Sequence, residues 1–231
     1  MLKEVNKFVG KRNKASLHIA LFVFVLILPF MASAQRFQGA VAFGTNLTQV
    51  DGDEAYGFKK FGFNVAAIAI IPFREKWALS LEASFSQKGA YEKYPRESDP
   101  SKSLPYYNLR LNYAEVPLMI HFTDKNFLTV GLGLSWGKLV GVKEIEWGKQ
   151  TKLNLYSGDY NANDFNIMVD VRVPIYKRLY FNFKYAYSLA KIRTREFSNN
   201  AGYKWKRQQY NNILTFRILY VLNKQKTKSN D

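Results

Sequence analysis

The feature of this sequence that most restricts its fold is the alternation of large apolar residues with small or polar ones at a period of two. The clearest example is the segment 128–137, in which Leu, Val and Trp alternate with Thr, Gly and Ser. Residues two apart lie on the same face of a β-strand, whereas a helix would group residues three and four apart. Eight such segments follow one another between Phe37 and Leu222. The sequence therefore predicts an all-β chain of eight strands.

The connections between these segments alternate between short and long. Short connections fall at 73–76, 123–126 and 174–178, and long ones at 50–60, 89–108, 138–164 and 189–207. Outer-membrane barrels have this layout, with tight periplasmic turns and longer extracellular loops. A soluble β-sandwich, which would bury the apolar face between two sheets, is the alternative, and it does not require this alternation in length.

The two faces of the segments differ in the size of their residues. The apolar face carries bulky Phe, Leu, Val and Tyr, and the opposite face is rich in Gly, Ala and Ser. This is the distribution expected if the bulky residues contact lipid and the small ones fill a narrow interior. We therefore expect an eight-stranded antiparallel transmembrane up-and-down β-barrel, located in the outer membrane.

The first 34 residues have the pattern of a cleavable signal peptide. Basic residues precede Leu17, an apolar run extends to Phe30, and an Ala-Ser-Ala sequence ends at Ala34. An uncleaved anchor helix is the alternative, but the run is shorter than a bilayer span. We assign residues 1–34 to a signal peptide, 35–222 to the barrel and 223–231 to a polar, basic tail. Cleavage removes five Lys or Arg and one Glu, which lowers the formal net charge from +16 to +12. Because an exported protein rarely meets nucleic acid, we expect no nucleic-acid partner in spite of this charge.

Three segments resemble landmarks of the PorT-like outer-membrane β-barrel family. They are residues 46–53 (NLTQVDGD), 82–91 (EASFSQKGAY) and 111–118 (LNYAEVPL). The resemblance covers roughly residues 35–222. It implies an eight-stranded barrel in a Gram-negative outer membrane and, for the member that gives the family its name, a role in protein secretion. It implies no catalytic residues. Many such barrels end on an aromatic residue that the assembly machinery reads, for which Tyr220 is the candidate here.

Ionisable residues occur on the face that we expect to point into the barrel. They are Glu82, Arg110, Glu115, Asp170, Arg172, Lys184 and Arg217. Because buried charges without partners are costly, we expect these residues to pair across the interior and plug it. A gated ion path is the alternative. The apolar positions also change parity at Val116, beside Pro117, which predicts a β-bulge there.

We predict no catalytic, cofactor or metal site. The chain has no Cys, and His121 is the one histidine after the signal peptide. A lipid A-modifying enzyme would need a nucleophile held beside a base, but there is no Gly-x-Ser-x-Gly motif and no serine at a suggestive spacing from His121. We therefore expect a structural histidine. The acidic residues Asp51, Asp53 and Glu54 lack the spacing of an EF-hand and predict a solvated loop.

The last long loop is basic. It contains Lys191, Arg193, Arg195, Lys204, Lys206 and Arg207, with Glu196 as its only acidic residue. Because guanidinium groups bind phosphate in a bidentate manner, this loop is a candidate contact for lipopolysaccharide, although a solvated loop without a ligand is the alternative.

The sequence as a whole indicates a non-enzymatic outer-membrane protein that presents its loops for structural or interaction roles. Its expected partners are outer-membrane lipid, lipopolysaccharide and the barrel assembly machinery. Three alternatives stay open: an accessory component of a secretion apparatus that binds secretion-complex proteins, a small channel, and a lipid A-modifying enzyme.

Overall fold

The computed structural model describes residues 37–93, 106–125, 127–198 and 201–223. The chain divides into two units, Met1–Phe37 and Gln38–Asp231, and the second contains the strands. The predicted signal peptide and residues 224–231 of the predicted tail lie outside the described residues.

The described residues form an antiparallel barrel. The strands are β1 (Gln38–Asp51), β2 (Lys60–Arg74), β3 (Trp77–Lys93), β4 (Tyr106–Asp124), β5 (Leu128–Glu146), β6 (Lys149–Gln150), β7 (Asn163–Tyr176), β8 (Leu179–Ser188), β9 (Arg193–Ser198) and β10 (Lys204–Val221). Eight of them pair in the order β1-β2-β3-β4-β5-β7-β8-β10, and β10 pairs with β1 to close the ring. The predicted eight-stranded up-and-down barrel is confirmed. The two additional short strands extend its rim, β6 on β5 and β9 on β10.

Several strands extend well past the length needed to cross a membrane, and they do so at their long-loop ends. Strands β4 and β5 each contain 19 residues, whereas about 9 to 11 residues are enough to cross a bilayer. The short turns follow β2, β4 and β7, and two of them place a lysine at positive φ, Lys125 at 45° and Lys177 at 42°. The long-loop ends of β3, β4 and β5 therefore project beyond the part of the barrel that a membrane would cover.

Large apolar side chains cover the outside of the barrel. Along β5, Leu132 and Leu134 are 55% and 58% exposed, whereas Gly131 and Ser135 on the other face are buried. Phe43 and Phe61 on neighbouring strands are 67% and 69% exposed. A contiguous apolar surface of this extent requires an apolar environment, which lipid supplies.

The predicted bulge at Pro117 is wrong. Buried and exposed residues alternate without a break along β4 from Tyr107 to His121. Pro117 lies where the β3–β4 pairing is interrupted without a change of register, because proline has no N–H to donate. The register shift occurs instead between β4 and β5, where Val140 is the extra residue opposite the pair Asn112 and Tyr113. What changes near Pro117 is the composition of the inner face, which becomes apolar toward the long loops.

Apolar clusters lie inside both ends of the barrel. The cluster toward the short turns contains Ala40, Ala42, Ala66, Ile68, Ile70, Leu219 and Val221. The cluster toward the long loops contains Val50, Ala55, Ala90, Tyr107, Leu109, Leu111, Tyr113, Leu139, Tyr160 and Ile192. A small group, Met119, Met168, Ala186 and Ile213, packs between them.

Candidate functional site in the barrel interior

Glu82 on β3 is the centre of a buried ionic cluster, which we call the Glu82 cluster. Lys184 Nζ on β8 donates to both carboxylate oxygens at 3.0 Å, and Arg217 Nη2 on β10 donates to them at 2.9 and 3.1 Å. Arg172 Nη2 on β7 lies 3.8 Å from Oε1. All four residues point inward because they occupy the inner face of their strands, and their side chains are at most 6% exposed.

Asp170 supplies the second carboxylate of the Glu82 cluster. It accepts hydrogen bonds from Arg172 Nε at 2.9 Å and from Asn182 Nδ2 at 2.7 Å. Arg217 donates through Nε to Asn182 and through Nη1 to Asn64 Oδ1 at 3.1 Å. Three cations thus face two carboxylates, and the amide oxygens of Asn182 and Asn64 accept two further hydrogen bonds from Arg217. Hydrogen-bonded partners of this kind are what allow charges to be buried.

A second ionic cluster surrounds Lys88 on β3, and we call it the Lys88 cluster. Its Nζ lies 2.6 Å from Glu115 Oε1 and 2.9 Å from Asp164 Oδ2. Asp164 also accepts from Ser188 Oγ at 2.7 Å and from Asn211 Nδ2 at 2.9 Å. The sequence analysis missed Lys88 and Asp164. Both could have been found, because Lys88 lies an even number of residues from Glu82 on β3 and Asp164 lies an even number from Asp170 on β7. One ammonium therefore faces two carboxylates in this cluster.

Of the seven residues predicted to point inward, the structure places Glu82, Glu115, Asp170, Arg172, Lys184 and Arg217 inside. The prediction for Arg110 is wrong, because Arg110 is exposed on the outer face of β4. The cause is the apolar cluster at the long-loop end. Leu109 and Leu111, which we expected to face outward, are completely buried inside it.

A third ionic cluster lies at the long-loop rim. Arg193 Nη1 donates to both oxygens of Glu144 at 3.2 Å, and Arg193 Nε donates to Gln209 Oε1 at 2.8 Å. Arg195 Nη1 lies 3.3 Å from Asp53 Oδ1, and Arg195 Nη2 lies 2.5 Å from Glu146 Oε1. Burial raises the pKa of Asp53 above its usual value, although the charge of Arg195 opposes this effect. The cluster ties the loop after β1 to strands β5 and β9.

This cluster corrects the set of basic residues that we predicted to face lipopolysaccharide. Arg193 is buried and Arg195 is half-buried, because both turn inward toward carboxylates. The others, Lys191, Lys204, Lys206 and Arg207, are exposed. The Nζ atoms of Lys204 and Lys206 lie 3.4 and 3.8 Å from the carboxylate oxygens of Glu196.

His121 lies beside a serine that the sequence did not indicate. Ser80 Oγ is 2.7 Å from His121 Nε2, and Arg172 Nη2 is 3.1 Å from the same nitrogen. His121 Nδ1 is 3.5 Å from Asp170 Oδ1. Serine, histidine and aspartate in this order match the residue types of a hydrolytic triad. Ser80 and Asp170 have no exposed surface, however, and Nε2, which would have to accept the serine proton, also faces the arginine.

A narrow cavity separates the Glu82 and Lys88 clusters. Its lining includes Glu82, Lys184 and Arg217 on one side and Lys88 and Glu115 on the other. It has room for about one water molecule. No group of three or more acidic or histidine residues in the described part of the chain is arranged to hold a metal ion. Within the described ranges, no helix is long and apolar enough to cross a membrane.

Comparison with known proteins identifies the family. The family model described as outer membrane protein beta-barrel domain matches residues 31–193. The chain belongs to this outer-membrane β-barrel family. Its predicted location in the outer membrane is thereby confirmed. Comparison with curated proteins finds no similar sequence.

Several solved structures are similar to this outer-membrane barrel. Ail, the attachment invasion locus protein of Yersinia pestis, is 12% identical, with a TM-score of 0.47 over 80% of this chain and 98% of that chain. Neisserial surface protein A is 10% identical, with a TM-score of 0.46 over 80% and 96%. A major outer membrane protein of Thermus thermophilus is 11% identical, with a TM-score of 0.43 over 80% and 99%.

Membership of an outer-membrane barrel family also indicates how the barrel is oriented across the membrane. Short turns of such barrels face the periplasm and long loops face the exterior. The turns after β2, β4 and β7 are therefore periplasmic, and the third ionic cluster lies at the extracellular rim. The exposed basic residues Lys204, Lys206 and Arg207 lie on the extracellular side as well.

Proposed function

We propose that this protein is a non-enzymatic outer-membrane barrel with a plugged interior, which serves as a rigid mount for its extracellular loops. The observation that carries this proposal is the paired state of the buried charges. The Glu82 and Lys88 clusters each hold their ions in direct contact, at distances from 2.6 to 3.0 Å for the closest pairs. Apolar clusters close the interior at both ends.

A conducting barrel would need a continuous column of water. The cavity between the two ionic clusters accommodates about one water molecule. On the periplasmic side Ile70, Leu219 and Val221 fill the interior, and on the extracellular side Leu109, Leu111 and Tyr113 do so. Opening a path would require exposing these side chains and separating buried ion pairs, and both steps are unfavourable.

The burial of Ser80 supports a non-enzymatic role. A serine nucleophile must reach a substrate carbonyl while its base remains in contact. Ser80 and His121 are at most 1% exposed, and the residues opposite them in the sheet, Ile70 and Ala78, belong to or pack against the apolar periplasmic cluster. We therefore assign the contact of Ser80, His121 and Asp170 to packing of the interior.

We also propose partners for the outer surface and the loops. Lipopolysaccharide phosphate is a suitable ligand for the exposed cations of the last loop, Lys191, Lys204, Lys206 and Arg207. Outer-membrane lipid contacts the apolar wall, and the barrel assembly machinery inserts the chain. A role as an accessory component of a secretion apparatus rests on the resemblance of three segments to the PorT-like family.

Conductance of the purified protein in planar lipid bilayers tests the plugged interior. We expect no steady conductance above that of the lipid alone, at either polarity of an applied voltage. A porin reconstituted in the same way is the positive control, because its wide barrel encloses a water-filled channel. Steady unitary currents from the unmodified protein would contradict the proposal and favour a small channel.

A further inference from the structure

Two cations lie directly opposite each other on the outer wall of the barrel. Arg110 on β4 and Lys143 on β5 are Cα partners in the antiparallel register, and both are exposed. Side chains at such positions have Cβ atoms about 5 Å apart, and like charges placed there destabilise the sheet. An anion bound between the two side chains would remove this repulsion.

The described part of the chain does not supply that anion. Neither the Arg110 side chain nor the Lys143 side chain makes an ion pair or a hydrogen bond with any residue in the described ranges. On β3, the position opposite Arg110 is Gly89, which has no side chain. Lys60, on β2, lies close enough to Arg110 for the two charges to repel and adds further positive charge. Among the described residues, the surroundings of the pair are therefore basic.

The height of the pair on the wall indicates where the anion comes from. Phe122 on β4 contacts Trp77 at 5.1 Å between ring centroids and marks the periplasmic aromatic girdle. Arg110 lies twelve residues along β4 from Phe122, which is roughly 30 Å along the axis of a barrel with a rise of about 3.3 Å and a tilt of about 40°. The apolar band of such barrels is about 25 Å tall. Arg110 and Lys143 therefore stand at the level of the outer-leaflet headgroups.

Aromatic side chains support this assignment of the level. Tyr91 and Tyr106 lie on β3 and β4 just beyond Arg110, with their ring centroids 6.4 Å apart. Tyrosine collects at the interface between the apolar core and the headgroups. An arginine can grip a phosphate with two parallel hydrogen bonds, and a lysine adds a point charge beside it.

We propose that Arg110 and Lys143 form a clamp for a phosphate group of lipid A on the outer wall of β4 and β5. The inference rests on the proposed contact of this protein with lipopolysaccharide, and it assigns the phosphate of lipid A to the barrel wall and leaves the last loop to phosphates that lie farther out on lipopolysaccharide. The ligand is a phosphorylated glycolipid of the outer leaflet, held from the side while its acyl chains lie against Val116 and Trp136 below.

Binding of lipid A to purified protein in zwitterionic micelles tests the clamp, with native mass spectrometry as the readout. The variants are a wall variant, Arg110→Gln with Lys143→Gln, and a loop variant of the same charge change, Lys204→Gln with Lys206→Gln. We expect bisphosphorylated lipid A to bind the wall variant about tenfold more weakly than the wild type, as the loss of a charge-assisted contact requires. The loop variant and the wild type should bind alike.

Two further probes separate the sources of the phosphate. Dephosphorylated lipid A should bind the wild type and the wall variant equally, and millimolar inorganic phosphate should not displace lipid A. Equal binding of bisphosphorylated lipid A to the wall variant and the wild type would overturn the clamp. If the loop variant alone loses affinity, lipopolysaccharide contacts the loop, and the clamp fails while the proposed function stands. Displacement by inorganic phosphate would identify a site for free anions and overturn the assignment to lipid.

Thermal stability gives a second readout, because we expect lipid A to reverse the order of the melting temperatures of the wild type and the wall variant. In zwitterionic micelles the wall variant should melt at a temperature equal to or higher than the wild type, because a repulsive pair has been removed. With bisphosphorylated lipid A present, the wild type should become the more stable of the two. The same order of stability in both media would contradict the clamp.

Discussion

Replacement of Glu82 by Gln tests how the interior is held together. The carboxylate accepts from Lys184 and Arg217 through four contacts of 2.9 to 3.1 Å. Glutamine has the same shape but provides one acceptor oxygen, and its amide N–H groups would face the cations. After the substitution, Asp170 is the only carboxylate of the Glu82 cluster, against three buried cations.

The magnitude follows from the burial of this cluster. Removing one partner of a buried ion pair destabilises a protein by about 3 to 5 kcal/mol, because the remaining charge is left uncompensated. We expect Glu82→Gln to lower the free energy of unfolding by this amount. The matched control is Glu92→Gln, which breaks a pair with Lys59 at 2.6 Å. The Lys59 side chain is 51% exposed, so the control should cost less than about 1 kcal/mol.

Reversible urea unfolding in phospholipid vesicles measures both variants through the fluorescence of the four tryptophans. The double variant Glu82→Gln with Lys184→Met removes a cation together with its partner, and it should recover at least about 1 kcal/mol relative to the sum of the two single variants. A loss smaller than about 1 kcal/mol for Glu82→Gln, or strict additivity in the double variant, would refute the argument that these charges are buried and mutually dependent.

Three further predictions concern other parts of the molecule. Ser80→Ala should leave lipid A composition unchanged in cells, and the wild type should not react with a fluorophosphonate probe; labelling that Ser80→Ala abolishes would show an active serine. Because burial raises the pKa of Asp53, its contribution to stability is fully present below the unfolded value of 3.8 and is lost as pH rises through the raised value. The free energy of unfolding of the wild type relative to Asp53→Asn should therefore fall as pH rises from below 3.8 through the raised pKa of Asp53, and a rise would contradict this sign. In Gly44→Ala the new Cβ would overlap the carbonyl oxygen of Phe216 across the closing strand pair, so the variant should lose the heat-modifiable gel mobility of a closed barrel; normal mobility would contradict the close approach.

The number and order of the strands could be predicted because a period of two follows directly from the geometry of a strand. In β5, the alternation of bulky and small residues from Leu128 to Gly137 corresponds to the alternation of exposed and buried side chains. The rule that apolar residues face outward holds only along the hydrocarbon core of the membrane. At the headgroup level and above it, Leu109 and Leu111 face the interior, and the direction predicted for Arg110 was wrong for that reason.

The sequence predicts which residues face the interior, but it does not predict which of them contact one another. Inward parity alone indicates Glu82 and Lys184, whereas their contact depends on the curvature that brings β3 opposite β8. The contact of Ser80 with His121 depends on the β3–β4 register, and spacing along the sequence does not reveal it. The inward turn of Arg193 depends on strand β9 at the rim, which lies in a segment that reads as a loop.

A pair of single-cysteine variants tests the central claim most directly, because the chain has no cysteine of its own. Leu118 and Met119 are adjacent on β4, but Leu118 is 50% exposed on the outer wall and Met119 is 1% exposed inside. In proteoliposomes, a fluorophore at Leu118→Cys should be quenched by brominated lipid. Met119→Cys in the folded barrel should react with neither a water-soluble nor a lipid-soluble thiol reagent until the protein is unfolded. Rapid reaction of Met119→Cys with the water-soluble reagent would show a hydrated interior and contradict the plug, and its reaction with the lipid-soluble reagent would contradict the assignment of the two faces.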